Sequence, residues 1–189
     1  MQLKRIKKKN YAAPPLGVYI HWPYCRKKCP YCDFNSHVTD AIDTDTWLKA
    51  FDRALTEKAD ILAERTLETV FFGGGTPSLM PVHIVDAVLA SIEKLSGQTP
   101  GEVTLEANPT SVESSNFKAL AKAGVNRLSM GVQALNDDDL HFLGREHTAA
   151  EALAALEIAR SCFNRVSFDL IYARPGQNTK TWSDELKQA

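Results

Sequence analysis

Three cysteines fall within eight residues of the stretch HWPYCRKKCPYCDFNSH, residues 21–37: Cys25, Cys29 and Cys32, with no fourth thiol nearby. Thiolates so closely spaced suit a metal centre. Structural zinc takes four protein ligands, so a zinc reading has to recruit His21, His37 or the remote Cys162. An iron–sulfur cube offers four irons, and three thiolates leave one iron open to an outside ligand. The loop alone leaves both readings open. Arg26, Lys27 and Lys28 add positive charge that offsets thiolate charge, although by themselves they read as a solvated loop.

Other polar residues stand where apolar runs end. Gly73, Gly74 and Gly75 follow TVFF, where the backbone has freedom to bend and to approach a ligand. Glu106 closes EVTLEA, where an acid is awkward unless exposed or paired. Asn108, Gln133 and Asp169 hold comparable places. Cys162 reads as a small core side chain, and His83 and His141 have no second ligand at metal spacing.

These residues need elements to hold them. The chain has 189 residues, 44% of them hydrophobic, and a net charge of -1, a globular composition without a basic stripe for nucleic acid. Strand-length apolar runs (GVYIH, TVFFGG, EVTLEA, NRLSMGV, RVSFDLIY) alternate with helical patterns. TWLKAFDRALTEKADIL, residues 46–62, carries one apolar face, and PVHIVDAVLASIEKL repeats it with Pro81 at a first helical position. Thr110 with Glu113 and Thr148 with Glu151 fit capping boxes, and Gly124 fits a helix stop. Nearly continuous apolar strands separated by helices predict a parallel sheet covered by helices, either a barrel or a doubly wound sheet. In both, ligands bind at the carboxyl ends of the strands, where the unusual residues gather.

The start, MQLKRIKKKNYAAPP, is basic, with a run from Lys4 to Lys9 that could touch nucleic acid or anionic lipid, although a solvated leader over residues 1–15 is the favoured reading. No apolar run follows it, and the cysteine pattern is not that of a stapled secreted domain, so the expected location is cytoplasmic. The closing NTKTWSDELKQA opens a fifth crossover helix, so the sequence reads as the front of a longer protein.

The C-x3-C-x2-C spacing after a first strand resembles the signature of the radical S-adenosylmethionine enzymes. YIHWPYCRKKCPYCDF, GGGTPS, LEANP, RLSMGVQ, LGREH and FDLIYARPGQ, in that order, resemble the oxygen-independent coproporphyrinogen oxidase family from about Leu16 onward. The likeness is strongest to its heme chaperone branch. It implies a partial TIM-type (β/α)6 radical-SAM barrel, with about five β/α units in residues 16–189 and the last unit and a C-terminal domain beyond them.

The resemblance also implies roles. Cys25, Cys29 and Cys32 would ligate a 4Fe-4S cluster whose fourth iron takes S-adenosylmethionine. Gly74, Gly75 and Thr76 would meet the methionine part, Glu106 the ribose, and the Tyr19 backbone the sulfonium, with Tyr31 an aromatic beside Cys32. Gln133, Arg145 and Asp169 match residues that hold a second S-adenosylmethionine in the dehydrogenase branch, although Arg145 alone would read as an ion pair with Glu146 or Asp139. Phe34 stands where that branch has a fourth cysteine, and Ala173-Arg174 where many members carry Gly-Leu. No catalytic acid or base is singled out.

The implied function is a heme chaperone, with heme as cargo, acceptor proteins, an electron donor such as a flavodoxin and a possible peripheral membrane contact. The alternatives are oxidative decarboxylation of coproporphyrinogen III and a zinc-stabilised binding module.

Overall fold

The computed structural model describes residues 13–39 and 41–189. The basic run Lys4 to Lys9, with any lipid contact it makes, lies outside them. Pro14 and Pro15, at the end of the expected leader, are tied to the fold through Arg65, whose Nε donates to the Pro14 carbonyl at 2.9 Å and Nη2 to the Pro15 carbonyl at 3.1 Å.

Strand β1 (Leu16–Trp22) leads into two very short strands, β2 (Tyr24–Cys25) and β3 (His37–Val38), on either side of the cysteine loop. Helices α1 (Thr44–Thr56) and α2 (Ala59–Glu64) precede β4 (Leu67–Gly74), a 3-10 turn (Pro77–Leu79) and α3 (Val82–Ser96). Then follow β5 (Glu102–Ala107), α4 (Ser111–Ser114), α5 (Phe117–Lys122) and β6 (Arg127–Gln133). The chain continues through α6 (Asp137–Phe142), α7 (Ala149–Cys162), β7 (Arg165–Leu170) and α8 (Thr179–Gln188).

The long strands form one parallel sheet in the order β1-β4-β5-β6-β7. That order never reverses. Right-handed crossovers therefore carry the helices to one face, and α1 and α2 pack on α3, α3 on α5, and α5 on α7. The result is a barrel wall of five β/α units rather than a doubly wound sheet.

The two faces of the sheet differ. In β6, Leu128, Met130 and Val132 are buried, while Arg127, Ser129, Gly131 and Gln133 turn the other way and are half-buried. The apolar face joins Val70, Phe72 and Leu105 to Ile84 and Ile92 of α3 and to Phe117 of α5. The other face is the polar interior of the barrel, where Arg127 donates to Thr104 Oγ1 at 3.2 Å and to Ser167 Oγ at 3.1 Å.

Local signals mostly settle where expected. Thr148 and Glu151 form a reciprocal capping box, and Gly124, at φ +110°, ends the turn after α5. Pro81 is the N-cap of α3 rather than its first helical residue, which is Val82. The single helix expected over 46–62 is broken. The Lys58 N–H bonds to the Leu55 carbonyl at 3.0 Å, three residues back, and α2 restarts with Leu62 buried against α3.

Candidate functional site

The cysteine loop is pinned at both ends. Tyr24 pairs with His37 and Cys25 with Val38 in the β2-β3 ladder. Behind it, fully buried Trp22 meets Tyr24 edge-on at 5.2 Å, and Trp47 Nε1 donates to the Tyr24 hydroxyl at 3.3 Å, anchoring the loop to α1. His21 Nε2 lies 3.0 Å from the Asn35 carbonyl, and His37 Nε2 lies 3.2 Å from Asn35 Oδ1. Both histidines fasten the loop's end. Among the described residues no three His, Cys, Asp or Glu side chains come together to hold a single metal ion.

Cys25, Cys29 and Cys32 are free, half-buried thiols that line one cavity of about 340 Å³. From the same walls Tyr31, Gly74, Gly75 and Thr76 face it, as do Glu106, Gln133, Arg145 and Asp169. Eleven of the twelve residues that the resemblance assigns to cluster or cofactor thus share one cavity. Tyr19 stands outside it, exposed on the barrel interior and stacked on Phe71 at 5.9 Å.

The glycine run also accommodates the protein's own backbone. A Cβ on Gly75 would sit 2.7 Å from the Tyr24 carbonyl oxygen, and one on Gly74, at φ +118°, 2.8 Å from that of Trp22. The room is taken by the protein's own chain. The Gly75 N–H donates to the Trp22 carbonyl at 2.7 Å and the Thr76 N–H to that of Tyr24 at 2.8 Å, which locks the cysteine loop onto the end of β4.

The charges around the cavity are unevenly answered. Burial pushes the Glu106 carboxyl up, the Gly74 N–H at 3.2 Å pulls it back, and nearby Asp169 raises it further. Burial pushes the Tyr31 phenol up to about 12, against the pull of Arg145. Arg145 Nη1 donates to Cys29 Sγ at 3.4 Å and to Tyr31 Oη at 3.3 Å, while Nη2 reaches the Gly131 carbonyl at 2.8 Å. Neither Glu146 nor Asp139 pairs with it; Asp139 pairs with Arg174 instead.

Three residues acquire partners that sequence did not assign, Asn108 among them although its strand-end place was expected. Asn108 takes a hydrogen bond from Arg145 on Oδ1 and donates from Nδ2 to Thr76 Oγ1 at 3.3 Å. Glu113 is buried, and its carboxylate accepts from Ser78 Oγ, from the Asn108 N–H at 2.6 Å and from Thr110 Oγ1 at 3.3 Å. Only half of the expected capping box exists, because Thr110 accepts from the Glu113 N–H while the acid turns inward. His147, also buried, meets the Val132 carbonyl at 3.1 Å, and burial beside Arg145 lowers it to about 4.

The residues fit an iron–sulfur cluster. Cys25 Sγ and Cys29 Sγ each face a donor, Thr76 Oγ1 at 3.3 Å and Arg145 Nη1, the surroundings a thiolate prefers. Cys162, by contrast, packs against the core as expected.

Residues 19–189 match the Radical SAM superfamily. The chain is 42% identical over 183 residues to the heme chaperone HemW of Haemophilus influenzae, across 93% of this chain and 48% of that protein. It is 44% identical over 177 residues to the Bos taurus protein named radical S-adenosyl methionine domain-containing protein 1, mitochondrial, across 90% of this chain and 39% of that one. A solved structure of coproporphyrinogen III oxidase (HemN) from Escherichia coli aligns with a TM-score of 0.75 at 30% identity, over 92% of this chain and 41% of the other. The chain spans less than half the length of these relatives. With the parallel barrel wall and the cysteine cavity at its strand ends, the chain belongs to the radical SAM superfamily.

Proposed function

We propose that this chain is the part of a heme chaperone that binds a 4Fe-4S cluster and S-adenosylmethionine, in a protein that passes heme to acceptor proteins. The observation that carries the reading is one cavity shared by three half-exposed cysteines and an arginine paired with no carboxylate among the described residues. When bound, such a cluster supplies a single electron to the sulfonium of S-adenosylmethionine. Cys25, Cys29 and Cys32 hold the cluster. Glu106 receives the ribose hydroxyls, and Gly74, Gly75 and Thr76 receive the methionine end. Arg145 offers its charge to a carboxylate, with Gln133 and Asp169 on the same wall.

The chaperone branch is favoured by the 42% identity to HemW, against 30% to HemN. Phe34, exposed on the cavity wall, supports it by replacing a thiol with an aromatic ring. Decarboxylation of coproporphyrinogen III is the second reading, favoured by the structural likeness to HemN. A flavodoxin-like donor would supply electrons.

The free thiols suit a reducing compartment, and we place the protein in the cytoplasm. Among the described residues no helix is long and apolar enough to cross a membrane. Any membrane contact is therefore proposed as peripheral.

The test uses the full-length protein, reconstituted anaerobically. Heme should bind and pass to an apo-hemoprotein, with no protoporphyrinogen IX formed from coproporphyrinogen III. Decarboxylation dependent on S-adenosylmethionine would promote the second reading, and stoichiometric zinc without iron or sulfide would sink both.

A further inference from the structure

We propose that Asn108 is a positioning residue that aims one hydrogen-bond donor at each of two cluster thiolates, Thr76 at Cys25 and Arg145 at Cys29, and so raises the reduction potential of the cluster. The inference rests on the cluster reading above. It follows from the polarity of one amide. A guanidinium donates only, so the amide atom facing Arg145 Nη2 must be Oδ1. Nδ2 is then the atom facing Thr76 Oγ1, 3.3 Å away, and the hydroxyl oxygen must accept from it. The single hydroxyl proton of Thr76 is left for its other neighbour, Cys25 Sγ, at 3.3 Å. On the opposite side, holding Arg145 Nη2 presents Nη1 to Cys29 Sγ at 3.4 Å.

A hub of this kind has to be rigid. Asn108 lies just past β5, and its backbone N–H is gripped by Glu113 at 2.6 Å. Donors from Ser78 Oγ, the backbone and side-chain amides of Asn108 and Thr110 Oγ1 face the Glu113 carboxylate, and Ser78 belongs to the turn after Thr76. One buried acid thereby holds the loops after β4 and β5 in fixed relation. On the far side Arg145 is held by the Gly131 carbonyl at 2.8 Å, so three strand ends converge on one amide.

Donors aimed at cluster sulfurs favour the electron-rich reduced state and raise its potential. Removing them lowers it. The experiment is a dye-mediated potentiometric titration, followed by EPR, on the reconstituted full-length protein and its variants. Asn108→Ala, which frees both arms, should keep its iron and lower the equilibrium constant for reduction about tenfold, about 59 mV for a one-electron couple. Thr76→Val should give a smaller shift of the same sign. In the Thr76→Val background, Asn108→Ala should add only the Arg145 arm, less than its effect alone. Asn108→Asp turns the Thr76 proton toward the new carboxylate and should also lower the potential.

Unchanged midpoints in iron-loaded Asn108→Ala and Asn108→Asp would overturn the inference and leave the cluster reading intact. If Asn108→Ala fails to load iron, Asn108→Asp and Thr76→Val decide by the same criterion. A wild-type protein that assembles no cluster overturns both.

Discussion

Arg145 and Arg174 both serve the carboxyl end of the sheet, and they do opposite work. Arg174 is buried and its charge is answered: Nη2 pairs with Asp139 at 3.0 Å and, closer still, with buried Glu185, while Nη1 donates to the carbonyls of Ile171 at 2.7 Å and Gln133 at 3.2 Å. Glu185 also accepts the Leu135 N–H at 2.9 Å, which binds α8 to the loop after β6. Arg145 touches a cysteine sulfur, a phenol, an amide and a carbonyl, but no carboxylate among the described residues. Each guanidinium leaves its Nε buried without a partner among the described residues, so the two differ in counter-charge and in the deeper burial of Arg174. A structural arginine uses its charge inside the fold; a binding arginine keeps it for a ligand.

The contrast breaks most visibly at Arg174. Arg174→Leu leaves Glu185 and Asp139 without their cation. Removing one partner of a buried pair costs about 3–5 kcal/mol. Urea denaturation should register that loss, and adding Glu185→Gln should recover part of it. A loss below about 1 kcal/mol for Arg174→Leu would show that the network is solvated and that the two arginines are not distinct in kind.

The second prediction uses pH to read the unanswered charge. His147 has a folded pKa of about 4 against its ordinary 6.5, first because it is buried and then because Arg145 repels its cation. The unfolded chain therefore takes the proton first as pH falls. Stability is unaffected above about pH 6.5 and declines as pH drops toward 4, by on the order of 3 kcal/mol from this group. His147→Gln should flatten that part of the profile. Arg145→Met should flatten it partly, because only the repulsion is removed. An Arg145→Met profile identical to wild type would mean that burial alone neutralises His147.

Sequence carried the positions of these regions better than their wiring. Strand ends could be read because apolar runs stop abruptly at Gly73, Glu106, Gln133 and Asp169, and the fold draws the last three, with Gly74 and Gly75, to one cavity. Periodicity could not choose between barrel and doubly wound sheet, because the choice is made by strand order. Residue type misled at Glu113, where a Thr-x-x-Glu signature has a local meaning and the acid instead bonds across a separation of 35 residues to Ser78. The β2-β3 ladder is two residues long on each side, too short for any pattern. His21 and His37 could be suspected as ligands only until Asn35 was placed beside them.

The third prediction sharpens the binding side. If Arg145 keeps its charge for the carboxylate of S-adenosylmethionine, Arg145→Met should weaken binding by about 1.5–3 kcal/mol, the range for hydrogen bonds to a charged group. Folding stability should change by less than about 1 kcal/mol, since no buried carboxylate is orphaned. Calorimetry on the reconstituted protein checks the first, and denaturation the second. Undiminished affinity would return Arg145 to a structural role beside Arg174.

The smallest effect tests where the two regions meet. Ala173, at φ +59°, and Gln133, at φ +75°, are the two described non-glycine residues in left-handed backbone, a conformation that costs about 1–2 kcal/mol for L-residues. Gln133 is held there by the structural region: its carbonyl accepts from the Ile171 N–H at 2.9 Å and from Arg174 Nη1. Its side chain lines the cavity. The rigid network thus maintains strain that serves the open one. Glycine relieves the strain at either site but adds unfolded-state entropy, so Ala173→Gly should raise stability by at most about 1 kcal/mol and leave S-adenosylmethionine affinity unchanged. Gln133→Gly should bring the same backbone relief with weaker binding, because the amide is lost from the wall. Thermal denaturation and calorimetry, run in parallel on both variants, separate the two effects. Equal affinity in both would mean that the strain at Gln133 serves the Arg174 network and not the site.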